Sequence, residues 1–430
     1  MYKLYLLFVL SLAGVLAKNE DYIGHALYEV KTFNDEQTQY LDVLVERLNL
    51  DVWRNAIPRL ETGLILVPRD LKVVFQTELF KAQIEYEVKS ANIKEQLDLE
   101  DELMSAAAAA SRSNRSSLFP FDVIHRYDVV NNYMRDIANR FPRIVTMHSA
   151  GRSIQGREIN YLRISNDNFQ SRTKPVIFLQ SLLHAREWVS LPASLYVIES
   201  LLGKDASLVR DIDWIIMPVA NPDGYEFTHT NSRLWRKNRR VNSLPGCPGV
   251  DLNRNFDNSW GTASSSLACS DTFHGTGPFS EPETQAIRSV LNQVKNRLEL
   301  FIDIHSFGSM ILYAYGNRQL PPNALILNMV GVRMAQSIDA VKWGQHPNYR
   351  VGNIVDVIRY TASGGASDYV QSFGDILSYT YELPAYRNRQ DINGFLVEPE
   401  FIRQAGFETW EGIKAGAAYV LQRTRIKNSN

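Results

Sequence analysis

Residues 174–188 read KPVIFLQSLLHAREW: an apolar run, Val176 to Leu179, followed within eight residues by His184 and Glu187. A short, β-branched and aromatic run of this kind predicts a strand buried on both faces, which belongs in a largely parallel sheet. Placed just beyond it, a His-x-x-Glu pair stands where open α/β sheets present their ligands, at the carboxyl ends of strands. An imidazole and a carboxylate from one short segment are also what a catalytic metal draws on, since it needs about three protein donors and an open position. The pair is weak evidence alone, because the chain has eight histidines. His305 supplies a third candidate, ending the apolar run Phe301 to Ile304 at another strand's carboxyl end.

Working outward, Lys174 to Gln180, Ile212 to Pro218, Leu300 to His305 and Ile376 to Glu382 read as buried strands, with Glu281 to Gln293 and Ala324 to Ile338 as helices between them. Alternation of this kind means an α/β unit with a mixed, largely parallel sheet and helices on its faces. A smaller α/β unit precedes it from Asp21 to Glu102. There the pattern predicts strands at Tyr22 to Val30, Gly63 to Val67 and Lys72 to Thr77, and helices at Glu36 to Leu48 and Leu79 to Leu103. Five alanines, Ala106 to Ala110, extend the last helix toward an exposed Ser/Asn/Arg run in which Arg112 and Arg115 offer trypsin-like cleavage sites. Asn114-Arg115-Ser116 in the same run is an N-glycosylation acceptor.

Composition sets the broad class. The 430 residues are 45% hydrophobic and 22% charged, with 46 basic against 47 acidic side chains. That balance is globular and carries no overall bias toward nucleic acid or a membrane surface. It is uneven, however: Lys18 to Ser111 holds 18 acidic and 10 basic residues, so an acidic front unit faces a net basic remainder. Residues 1–17 have the early Lys3, an apolar run from Leu4 to Leu16 and small residues at Val15 and Ala17, a secretory signal too short to span a bilayer. Cys247 and Cys269, the only cysteines, are expected to form a disulfide in an oxidising compartment.

His184-Ala185-Arg186-Glu187-Trp188 resembles the zinc motif of the pancreatic-type metallocarboxypeptidases, the procarboxypeptidase A and B family. Further blocks follow in family order: Asn221-Pro222-Asp223-Gly224, Arg233-Leu234-Trp235-Arg236-Lys237, Asp251-Leu252-Asn253-Arg254-Asn255, Asp303-Ile304-His305-Ser306, Tyr360, Ala362-Ser363-Gly364-Gly365 and Tyr381-Glu382. The resemblance implies a signal peptide over 1–17, an activation domain of ferredoxin-like α/β fold over 18–104, a connector and cleavage region over 105–117, and a catalytic domain over 118–430. It implies one Zn2+ on His184, Glu187 and His305, with Asp251 orienting His184. Glu382 would be the general base and Arg236 the oxyanion partner, while Asn253, Arg254 and Tyr360 would hold the substrate's terminal carboxylate. Arg186 and Arg233 resemble residues of the outer subsites. Expected partners are peptide C-termini, a trypsin-like activating protease and the chain's own propeptide as inhibitor; the enzyme is expected to be secreted and monomeric.

Ser367 falls where the family sets specificity. An acid there goes with release of Lys or Arg and an apolar residue with release of aliphatic or aromatic residues, so a small neutral serine favours the second type. Arg359 departs from the usual apolar residue before Tyr360, and turned inward it would select acidic C-terminal residues. Pro384 replaces a usual arginine, and the loop Ala385 to Asn393 is longer than in the family. A non-catalytic peptide binder of the same fold would have lost a ligand or the base, and this chain keeps them all.

Overall fold

The computed structural model describes residues 18–113, 121–387 and 392–429. The signal stretch, Asn114 and Arg115 lie outside the described residues, as does the side chain of Arg112.

In the front unit, strands β1 (Ala26–Lys31), β2 (Asp51–Arg54), β3 (Gly63–Val67) and β4 (Glu85–Ser90) form an antiparallel sheet in the order β2-β3-β1-β4. With α1 (Asp35–Leu48) and α2 (Lys72–Lys81) between strands, the chain order is β-α-β-β-α-β, the ferredoxin-like arrangement. Two sequence expectations are corrected here. Lys72 to Thr77 is helix, not strand: Phe75 and Leu79, four apart, are both fully buried while Val73 faces water, so burial follows the 3.6-residue period. The single helix expected over Leu79 to Leu103 is broken, because Gln83 turns the chain at φ 53° and Glu85–Ser90 then pairs with β1 as an edge strand. Helix α3 begins only at Ile93 and runs to Ser113, carrying the alanine run.

The larger unit holds β5 (Val145–Arg152), β6 (Glu158–Ile164), β7 (Val176–Ser181), β8 (Asp213–Met217), β9 (Leu298–Ser306), β10 (Met310–Tyr313), β11 (Arg350–Asn353) and β12 (Leu377–Leu383). Their order is β11-β10-β12-β9-β7-β8-β6-β5, and the central four, β12, β9, β7 and β8, run parallel. Alternate residues divide between two cores. Ile177 and Leu179 face a layer built by the helices Tyr127–Arg140, Ser190–Leu202, Ala324–Asp339 and Pro399–Ser429; Val176 and Phe178 face Pro282–Val294 and Ala366–Gln371. Helices on both faces bury both faces of each central strand, which is why β7 and β8 read as nearly continuous apolar runs, while β9 and β12 carry buried polar residues toward the site. Cys247 and Cys269 are joined in a disulfide. No helix among the described residues is long and apolar enough to cross a membrane.

Candidate active site

Three neighbouring strands deliver the chemistry to one edge. After β7 the chain turns sharply at Leu182, whose φ is 55°, and places His184 and Glu187 in a buried loop held by the Ala185 amide donating to the Arg236 carbonyl at 3.0 Å. His305 is the penultimate residue of β9, and Glu382 lies directly across from it on β12. Parallel pairing points both side chains the same way. The Nδ1 atoms of His184 and His305 approach to 3.0 Å, and each lies 2.8 Å from a carboxylate oxygen of Glu187. Among the described residues this is the one group of three or more such side chains whose donor atoms converge. Two imidazoles and a carboxylate, all buried and aimed at one point, fit a catalytic zinc, which takes nitrogen and carboxylate donors in tetrahedral geometry.

Around this point the charges are arranged in pairs. Asp251 sits 3.1 Å from His184 Nε2 and accepts from Arg236 Nε and Nη2 at 3.1 and 2.9 Å. Burial would raise the Asp251 pKa, but Arg236, His184 and Arg254 outweigh it and hold the carboxylate well below its usual range. For Arg236, burial opposes the charge and is outweighed by Asp251 and Glu187, so the guanidinium stays cationic. Glu382 has no such partner: burial and the neighbouring Glu187 push it up to about 8, against the pull of His305 and Arg236.

The same Asp251 caps the short helix Leu252–Arg254, accepting from the Asn253 amide at 2.9 Å. This turn points Asn253 and Arg254 into the cavity. Arg254 spends one Nη on the Asn253 carbonyl, and its buried Nε has no hydrogen-bond partner, so the guanidinium that lines the cavity keeps donors to spare for an anion. Gly364 sets the position of Arg254 from behind. At φ 71°, a side chain there would start 2.3 Å from the Arg254 carbonyl oxygen. We expect Gly364→Ala to cost about 1–3 kcal/mol of stability and to raise KM more than it lowers kcat, as calorimetry and steady-state kinetics would show.

Beside the clamp, Ile354, Ile358, Tyr360 and Ala362 line the cavity, with Ser367 and Thr380 sharing a hydrogen bond of 2.8 Å between their hydroxyls. Thr380 was not singled out from sequence; its place two residues before Glu382 on one strand face was the available signal. Arg359 instead caps the helix Ile354–Ile358 at φ 57° with its side chain exposed, outside the cavity lining. Selection of acidic residues through Arg359 therefore has no structural support.

The front unit covers the cavity, whose volume is about 770 Å3. Asp51 accepts two hydrogen bonds of 2.8 Å from Arg186, and Glu100 pairs with Arg233 at 2.5 and 3.1 Å. Trp53 packs edge-on against Phe395 at 5.3 Å, within an apolar cluster shared by both units. Lys18 pairs with Asp101 and sits over the Trp188 ring, and Asn19 bonds to Asn231 and the Arg233 amide. His184, Glu187 and His305 take their described polar partners from the larger unit alone. Asp51 and Glu100 were not identified from sequence individually; the acidic excess of the front unit was the signal.

A family model described as zinc carboxypeptidase matches residues 130–412, and one described as carboxypeptidase activation peptide matches residues 28–100. The chain belongs to the zinc carboxypeptidase family. This carboxypeptidase is 39% identical to carboxypeptidase B of Helicoverpa zea, over 96% of the chain and 97% of that protein, and 31% identical to carboxypeptidase A1 of Bos taurus, over 95% and 96%. Its fold matches the crystal structure of carboxypeptidase A from Helicoverpa armigera with a TM-score of 0.90 and 51% identity, covering 93% of this chain and 98% of that one. Relatives named A and B both match along most of their length, so overall likeness does not set the preferred C-terminal residue.

Proposed function

We propose that the chain is the zymogen of a secreted carboxypeptidase that binds one Zn2+ and removes neutral aliphatic or aromatic residues from peptide C-termini. The observation that carries this reading is the convergence of the His184, Glu187 and His305 donors at the wall of one cavity that Glu382 and Arg254 also line. In this reading 1–17 is the signal peptide, 18–104 the activation domain, 105–117 the connector and 118–430 the catalytic domain. Export is supported by the signal-like leader and the disulfide.

Arg254, Asn253 and Tyr360 receive the terminal carboxylate and so place the last peptide bond over the His/Glu/His cluster, making the enzyme an exopeptidase. His184, Glu187 and His305 would hold the zinc, which when bound would supply a water of pKa lowered toward about 7 and polarisation of the carbonyl. Glu382 takes the proton of the attacking water on a carboxylate oxygen and gives it to the leaving amine. Arg236, fixed by Asp251, faces the oxyanion as its charge develops. Arg186 and Arg233, freed of Asp51 and Glu100, then line the outer subsites.

Cleavage by a trypsin-like protease is read at Arg112 or Arg115. The backbone at Arg112 is still in the last turn of α3, so cutting there requires that turn to unwind.

A panel of blocked dipeptides ending in Phe, Leu, Glu and Arg tests the preference. Phe and Leu should be released at least ten times faster than Glu or Arg, and Ser367→Asp should shift the preference toward Arg. Faster release of Glu or Arg by the unaltered enzyme would overturn the neutral preference while leaving the carboxypeptidase reading intact.

A further inference from the structure

The two histidines of the cluster are each backed by a carboxylate, and only one of these, Asp251, belongs to the roles considered so far. The other is Asp303. It lies two residues before His305 on β9, so both side chains leave the same face of the strand. Its Oδ2 is 2.8 Å from His305 Nε2, on the far side of the ring from the Nδ1 that faces Glu187; the approach is out of line with a ring N–H, so a small turn of the imidazole closes the bond, and Oδ2 has no hydrogen-bond partner otherwise. Its Oδ1 accepts from Gln180 Nε2 at 2.9 Å, and Gln180 is its cross-strand partner on β7. Asp303 and Gln180 are both fully buried.

No Lys or Arg nitrogen pairs with Asp303 among the described residues. A carboxylate buried this deeply is costly unless a positive partner compensates it. Gln180 is neutral, so compensation has to come through His305 and whatever cation its Nδ1 faces. Among the described residues, the other polar contact at His305 Nε2 is Asn253 Nδ2 at 3.4 Å, too long for a strong bond, while Asn253 Oδ1 is engaged by the Ala366 amide at 2.8 Å.

We infer that Asp303 is the positioning residue of His305: it holds the proton on Nε2, fixes the ring plane and leaves Nδ1 bare as a metal donor, with Gln180 fixing Asp303 in turn. A metal-binding imidazole must present an unprotonated nitrogen, and a carboxylate behind the other nitrogen sets that tautomer and makes the donor more basic. The assignment rests on reading His184, Glu187 and His305 as the zinc site, and its test separates the two.

In the full-length zymogen, zinc affinity is measured by competition with a chromophoric chelator. Asp303→Asn keeps the shape and removes the charge; it should weaken zinc binding about 10- to 100-fold. The rise in melting temperature on zinc loading should shrink accordingly, whereas a purely structural role would lower the metal-free and zinc-loaded proteins alike. Zinc affinity within threefold of the unaltered protein would overturn the role of Asp303. Failure of the unaltered zymogen to bind zinc would instead remove the metal site itself. A second measurement needs no variant: with 15N-labelled histidine in the zinc-loaded zymogen, two zinc-bound imidazoles should each show a protonated Nε2. An unprotonated Nε2 on His305 would contradict the assignment.

Discussion

Glu382→Gln in the activated enzyme should lower kcat by roughly 10²- to 10⁴-fold, the range set by loss of a positioned general base, with KM for a C-terminal Phe substrate little changed. The amide is nearly the same size as the carboxyl and Glu382 makes no part of the Arg254 clamp, so binding should survive. The pH dependence has a definite sign. A base works ionised, so kcat/KM falls as pH drops through its pKa. Burial and Glu187 hold that pKa at about 8 without metal, above the ordinary 4.5, and a bound dication draws it down. The acid limb of the profile should therefore lie between those two values and vanish in the variant. In the metal-free zymogen the same shift works against stability as pH rises: the protonated group's contribution is whole below about pH 4.5 and is lost as pH climbs through about 8.

Glu100→Ala should release the front unit. Arg233 and Glu100 are both almost wholly buried, and Glu100 also accepts from the Val397 amide at 2.7 Å. Removing one partner of a buried pair leaves an uncompensated charge at a cost of about 3–5 kcal/mol. The closed zymogen would then lose on the order of 10²- to 10³-fold of its advantage over open states. Measured as the activity of uncut protein relative to trypsin-treated protein, this should appear as a large rise for the variant and little change in the cut enzyme. Asp51→Ala should do the same more weakly, since Asp51 is partly exposed and its loss leaves Arg186 stacked on Phe395 at 4.2 Å.

How much of this was written in the sequence depends on how local each signal is. Strand β7 was readable because burial on two faces favours an unbroken apolar run, as at Val176 to Leu179. Lys72 to Thr77 misled because its β-branched residues suggest a strand, while the deciding contacts of Phe75 and Leu79 belong to the tertiary packing. The direction of Arg359 hung on a single backbone angle that no neighbour in sequence announces. Asp303 was visible as a residue, but its bond to Gln180 depends on strand register across more than 120 positions of chain. Likewise Arg186 and Arg233 were legible as site residues, and their carboxylate partners were not, because each pairing joins two units more than 130 positions apart in the chain.

The most direct test is to follow release of C-terminal Phe by the trypsin-activated protein before chelation, after it, and after zinc is returned, on one peptide with a free terminal carboxylate and its amidated twin. The account predicts cleavage of the free acid alone, abolished by the chelator and restored by zinc. Activity that persists without metal, or equal cleavage of the amide, would contradict it.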